Sequence, residues 1–333
     1  MKRYLTFNKL IVLLFVGLIV SVIVASSLGA VKLPGKWIIG KLLGREVEGP
    51  SYWETIFWQI RLPRVVGAVL VGAVLALSGT AFQGVLRNSL ADPYILGVSA
   101  GASLGAAIAS LLPITSVYGF SFAAFLGALA VTLLVYTIST NGLVRRVQDL
   151  VLAGVAVGSV ASSMVSVIMV LNRASMDKIV MWMMGSFSGF TWSNVKMLLF
   201  SLVIGGWILH SKSRVLNALL IGEEAAWNLG INVTRETYIV LTTASFLAAS
   251  AVSVTGVIGF VGLMVPHIIR LIIGPDHKYL LPASVLGGGL LVVVTDCIAR
   301  TVIAPTELPV GVITSLLGGP FFLYLLRLNR RNL

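Results

Sequence analysis

The chain has 333 residues, 57% of them hydrophobic and only 11% charged, with a mean hydropathy of +0.99. A soluble globular domain carries about 25% charged residues, so this composition excludes an ordinary soluble enzyme and points to an all-α polytopic membrane protein. The net charge of +12 does not indicate a nucleic-acid partner, because the basic residues flank hydrophobic runs, where membrane topology accounts for them.

Taken in chain order, charge-free runs mark the spans, since a helix crosses the hydrocarbon core in about 20 residues. The basic start Met1-Lys2-Arg3 resembles a signal peptide, but Leu10–Val31 is longer than the roughly 7–15 apolar residues of an h-region and predicts a retained first span. Lys32–Arg64 follows as an outer segment, with Trp37, Tyr52, Trp53 and Trp58 suited to an interfacial belt. Val65–Leu86 is one span, and Pro93–Val144 has room for two, broken near Pro113. Leu150–Asn172 is a single span, and so is Phe190–Ser211, interrupted only by Lys196 near its outer end. Thr237–Ile269 is too long for one ordinary crossing and can break at Gly256 and Gly259; Tyr279–Thr295 and Leu308–Leu326 complete the series.

Nine or ten spans result, and parity selects ten. Lys2, Arg3 and Lys9 at one end and Arg327, Arg330 and Arg331 at the other place both termini on the positive, cytoplasmic side, which requires an even number. Small residues recur every fourth position at Gly97, Gly101, Gly105 and Ala109, and at Ala68, Gly72, Ala76 and Thr80. Such stripes let helix backbones approach closely and are expected to pack within one subunit.

Several chemistries are missing. No Gly-x-x-x-x-Gly-Lys-Ser/Thr loop occurs, so the chain carries no nucleotide site of its own and is not expected to be an enzyme. Cys297 is alone, which excludes an internal disulfide and a cysteine metal cluster. His210, His267 and His277 are scattered near span ends, and no metal site is expected. No acidic residue falls at the centre of a span. Ion-coupled carriers usually need one, so an ion-driven secondary carrier is the weaker reading.

The polar stretch from Ser211 to Glu236 interrupts this hydrophobic pattern. Within it Gly222 is a candidate N-cap, Glu223 and Glu224 place negative charge on the first helical turn, and Gly230 suits a left-handed C-terminal residue. Ala225, Ala226 and Leu229 are spaced to share one small apolar face. A capped cytoplasmic helix on a body without its own energy source suggests a docking point for a partner. Arg61, Arg64 and Arg300 stand at the outer mouth.

The sequence resembles the FecCD-type permeases of bacterial and archaeal ABC importers for iron–siderophores, vitamin B12 and haem. The matching pieces are Arg61-Leu-Pro-Arg64, Ser78-Gly79, Gln83 through Pro93, Leu96-Gly97, Leu152-Ala-Gly154 and Trp182 through Ser186. They continue with Gly222 through Ala226, Leu229-Gly230, Gly259 through Leu263, Pro266-His267, Arg270, and Glu307-Leu-Pro-Val-Gly311. They run in family order over nearly the whole chain, and Ser89 departs from the family's usual Pro.

The resemblance implies a type II ABC importer permease fold, with residues 1–333 as a single transmembrane permease domain of ten helices. It implies a homodimer in the bacterial or archaeal cytoplasmic (inner) membrane, two cytoplasmic ATPase subunits that carry ATP and Mg, and an external binding protein. The substrate class is a metal chelate, with ferric siderophore first and cobalamin, haem or a molybdate-type oxyanion as alternatives. By the same resemblance Gly222–Gly230, within the segment 211–236, is the coupling helix. Arg61, Arg64 and Arg300 are expected to meet the binding protein, and Asn88, Leu90, Val147 and Gln148 to form a cytoplasmic gate. Ser162, Ser163, Ser166 and Met169, on one span, are candidates to line the path.

Overall fold

The structure is a computed structural model that describes residues 2–29, 31–112, 117–139 and 147–331. Seven of its helices are long and apolar enough to cross a bilayer alone, and three more apolar helices are shorter, which makes ten among the described residues. We number them α1 (Lys2–Ser27), α2 (Leu62–Val85), α3 (Val98–Leu111), α4 (Val117–Ile138), α5 (Val147–Leu171), α6 (Trp192–Ser211), α7 (Val233–Thr255), α8 (Val261–Ile273), α9 (His277–Thr301) and α10 (Val310–Arg331). Ten was the number that parity required. The predicted break near Pro113 falls outside the described residues.

The division of Thr237–Ile269 has a clear physical cause. Gly256, at φ 73°, ends α7, and Phe260, at φ 67°, precedes α8. The extra left-handed residue is Phe260 and not the expected Gly259. Irregular backbone at this depth is tolerated only when protein covers it, and Tyr94 supplies part of the cover by donating its hydroxyl to Ile258 O at 3.0 Å. The segment that brings Tyr94 there, residues 86–97, folds back into the bundle with Ala91 and Leu96 buried. It therefore shortens α3, which starts at Val98 and not at the Pro93 that hydropathy alone suggests.

Helix α2 is the hub, packed against α7, α8, α9 and α6, and all its residues except Val66 and Val69 are buried. Glycine permits this crowding. A Cβ on Gly72 would lie 2.1 Å from Gly288 O in α9, and one on Gly79 would lie 1.8 Å from Gly262 O in α8. The Gly97–Ala109 stripe faces α4, where a Cβ on Gly105 would meet Ala123 O at 2.1 Å. Both stripes thus serve packing inside the chain, where van der Waals contact and not hydrophobic transfer holds helices together. Polar cross-links add direction. Ser78 Oγ donates to Ala244 O at 2.7 Å. Gln83 donates to Leu263 O at 3.1 Å while its own oxygen accepts from Arg270 at 2.8 Å.

By contrast, α5 buries one narrow stripe, Leu150, Ala153, Ala161, Val165 and Ile168, and exposes Leu152, Val155, Val160 and Val167. Helix α10 likewise leaves Leu316, Leu323 and Tyr324 uncovered.

Candidate functional site

The Ser211–Glu236 stretch forms two short helices, Ser213–Ile221 and Glu223–Asn228. We call the side of the molecule that carries it the inner side. Gly222 separates the helices at φ 152°, and no neighbour stands where a Cβ would go, so the backbone angle alone explains the glycine. Its carbonyl accepts the first helical bond from Ala226 N–H at 3.0 Å, and Glu223 and Glu224 lie exposed on the first turn. Gly230, at φ 77°, closes the helix by donating to Trp227 O at 2.8 Å.

The outward face differs from the expected one. Ala226 is 0% exposed and packs into the chain's own core, with Ala225 half-buried. Trp227 and Leu229, 72% and 68% exposed, project outward with Ile221. Ala226 therefore belongs to the seat of the helix, and the large apolar residues beside it form the free surface. A tryptophan adjoining this alanine was the signal available in the sequence.

This platform is strapped to three spanning helices. Arg87, just past α2, pairs with Glu223 at 3.2 Å. Lys212 pairs with Glu236 of α7 at 2.7 Å. Asn217 donates to Asp276 at 2.8 Å and accepts the His277 N–H at 2.8 Å, which fixes it to the start of α9. Arg87 and Asn217 were not singled out from sequence because their partners are distant in the chain. The arrangement can transmit a push on Trp227 and Leu229 to α2, α7 and α9 together.

The gate candidates lie on the same side. Asn88 accepts the Leu90 N–H at 2.9 Å, a local turn that shapes the loop after α2. Leu90 is half-buried. Val147 and Gln148 open α5, with Gln148 exposed; the loop just before them, residues 140–146, lies outside the described residues, as does the Val147 side chain. Near Leu90, the Asp92 carboxylate accepts the Tyr94 N–H at 2.8 Å. Burial pushes its pKa up to about 6, with that hydrogen bond opposing the shift.

The three outer arginines do converge, but they turn inward and are buried. Arg61 donates to the carbonyls of Ser26 at 3.0 Å, of Ser27 at 3.1 Å and of Val31, capping the end of α1. Arg64 holds Asp296 of α9 with Nη2 at 2.9 Å and Glu307 with Nη1 at 2.8 Å. Arg300 pairs with Asp296 at 3.1 Å and donates to Ala25 O at 3.0 Å. These residues were expected to meet the binding protein; the structure commits their donors to joining α1, α2, α9 and the approach to α10. A buried guanidinium needs such partners because desolvation without pairing is prohibitive. The Asp296–Arg300 spacing of four residues on one helix was the legible hint.

On α5, Ser162, Ser163 and Ser166 are exposed, and the hydroxyls of Ser163 and Ser166 donate to carbonyls one turn back. Met169 is not beside them. It is half-buried against the small core of Ala107, Val165, Ile168 and Ile179, so it packs within the chain and does not line the serine face.

Ten helices, two of them starting inside the bundle, and a braced platform on one side define an all-helical integral membrane protein. Comparison with known proteins narrows the class. A model of the FecCD transport family matches residues 16–328. The chain is 45% identical to the cobalamin import system permease protein BtuC of Halobacterium salinarum, over 84% of this chain and 75% of that protein. It is 39% identical to the hemin transport system permease protein HmuU of Yersinia pestis, over 96% and 97%. A solved chain of a metal-chelate type ABC transporter in an inward-facing conformation superposes with a TM-score of 0.86 at 29% identity, covering 96% of this chain and 99% of that one. The chain belongs to the FecCD transport family.

Proposed function

We propose that this chain is the membrane-spanning permease subunit of an ABC importer for a metal chelate, with a ferric siderophore as the first substrate to test and cobalamin, haem or a molybdate-type oxyanion as alternatives. The observation that carries the reading is the braced inner platform. It presents Trp227, Leu229 and the exposed Glu223 and Glu224, with Glu223 held by Arg87, on a chain that has no phosphate-binding loop. An ATPase subunit seated there supplies ATP and Mg, and this chain binds neither.

The reading includes a homodimer, for which the uncovered faces of α5 and α10 offer a contact surface. Both are apolar, and α5 adds the serine row Ser162, Ser163 and Ser166, which suits the wall of a path between two copies. Asn88, Leu90, Val147 and Gln148 then close the path at its inner end. The inner side is cytoplasmic in this reading, with both termini there, and the membrane is the bacterial or archaeal cytoplasmic membrane. An external binding protein meets the opposite face. Because Arg61, Arg64 and Arg300 are committed internally, its first contact is with the half-exposed Glu307 and the surface around it, while the arginines hold that surface in shape.

The ion-coupled alternative loses its best candidate group. Asp296, 1% exposed within α9, is held by Arg64 and Arg300 and is not free to carry an ion. The test is uptake in proteoliposomes containing the permease, its ATPase and its binding protein, with radiolabelled ferric siderophore, cobalamin, hemin and molybdate offered in turn. ATP-dependent uptake of one chelate is expected. Uptake driven by an ion gradient without the ATPase would overturn the proposal.

A further inference from the structure

A cleft of about 510 Å³ opens sideways from the bundle between α1, α2, α6 and α9. Its walls include Phe7 and Ile11 of α1, Leu77 of α2, Gly206 and His210 of α6, and Leu281 of α9. These residues belong to the inner halves of their helices: His210 ends α6 just before the platform, and Leu281 lies in the second turn of α9. Gly206 keeps the floor open, since a Cβ there would meet nothing closer than Leu77 Cδ2 at 3.6 Å.

Only the inner end of this apolar cleft is basic. Lys278 is exposed, with its Nζ 5.7 Å from the Tyr279 ring, and that ring packs against Phe7 in a tilted pair with centroids 4.8 Å apart. Lys278 precedes the wall residues Leu281 and Pro282 by three and four positions, so it shares their face of α9. Among the described residues Lys278 has no carboxylate partner. The nearby acids are engaged elsewhere: Asp276 by the Asn217 amide and the Lys278 N–H, and Glu236 by Lys212.

We infer that the cleft binds one anionic phospholipid of the inner leaflet, with an acyl chain along Gly206 and Leu77 and the phosphate at Lys278 and the His210 ring. An open apolar slot at this depth meets acyl chains, and a lysine near an anionic membrane surface contributes a several-fold preference for anionic headgroups. A second copy of the chain is a poorer occupant. A two-fold contact would set each patch against its own image and bring the lysines of both copies together. The uncovered face of α5 lies elsewhere, since α5 is not packed against α1, α6 or α9.

The test is native mass spectrometry of the purified protein equilibrated with phosphatidylglycerol and phosphatidylcholine of identical acyl chains. The wild type retains phosphatidylglycerol in preference to phosphatidylcholine, and Lys278→Gln lowers that preference about five-fold. Gly206→Leu fills the slot and abolishes retention of both lipids, with thermal melting to confirm that it is folded. If that variant fails to fold, Lys278→Gln carries the test through headgroup preference alone. Equal retention of the two lipids by the wild type, or unchanged retention by folded Gly206→Leu, overturns the inference. A change in oligomeric mass on filling the slot assigns the cleft to a second copy and overturns it as well.

Discussion

Arg64 and Asp296, 232 positions apart in the chain, meet through two guanidinium nitrogens, Nε at 3.1 Å and Nη2 at 2.9 Å from the same carboxylate oxygen. The contact joins the start of α2 to the last turns of α9. With Arg300 on the second oxygen of Asp296 and Glu307 on the other arm of Arg64, it closes the outer end of the bundle.

Asp296→Asn leaves two buried guanidinium groups short of a counter-charge. Removing one member of a buried pair costs about 3–5 kcal/mol, so the variant is expected to melt well below the wild type in detergent. Arg64→Lys is expected to melt low as well, because an ammonium cannot span Asp296 and Glu307 as the planar fork does. A wild-type melting curve for Asp296→Asn would remove the structural role of this cluster.

At the platform, Trp227→Ala and Glu224→Lys are expected to lower substrate-stimulated ATP hydrolysis about tenfold or more while leaving the permease folded, as truncation of an exposed aromatic anchor does at other interfaces. Ala226→Leu behaves differently. Its side chain faces the core, and overpacking there costs about 1–3 kcal/mol, so thermal stability falls before coupling is lost. ATPase assays paired with melting curves separate the two effects. Normal coupling in both surface variants would deny the platform its docking role.

The sites of close helix approach give a second contrast. Gly79→Ala puts a methyl group against Gly262 O and is expected to cost about 1–3 kcal/mol. Gly206→Ala meets only open space and Leu77 Cδ2 at 3.6 Å, and gains about 1 kcal/mol of helix propensity. Thermal melting of the two alanine variants should move in opposite directions.

Asp92 predicts a pH dependence. Its pKa is raised from the ordinary 3.8 to about 6 by burial, so the folded protein binds more protons than the unfolded chain between those values. Stability is therefore fully retained below about pH 4 and declines as pH rises through about 6. Asp92→Asn keeps the oxygen that accepts the Tyr94 N–H and has no proton to lose. It is expected to flatten the melting temperature over that window, and an unchanged slope would rule Asp92 out as its source.

Much of the architecture was readable along the chain. The spans, the division of Thr237–Ile269 and the boundaries of the short helix at Gly222 and Gly230 rest on hydropathy, glycine and charge within a few residues, so local patterns reveal them. The start of α3 was misplaced because the uncharged stretch Pro93–Gly97 packs for a tertiary reason: it folds into the bundle against α8.

By itself, then, the sequence determined that the protein is a ten-helix membrane body of the FecCD type with a capped helix outside its spans. Only the tertiary structure decided which way side chains point. Ala226 faces the core and Trp227 the outside, Met169 packs away from Ser162, Ser163 and Ser166, and Arg61, Arg64 and Arg300 bind one another's neighbours across the fold. In a bilayer the lipid-facing and protein-facing sides of a helix are both apolar, so periodicity cannot distinguish them. Where a charge finds its partner hundreds of residues away, only the folded chain brings the two together.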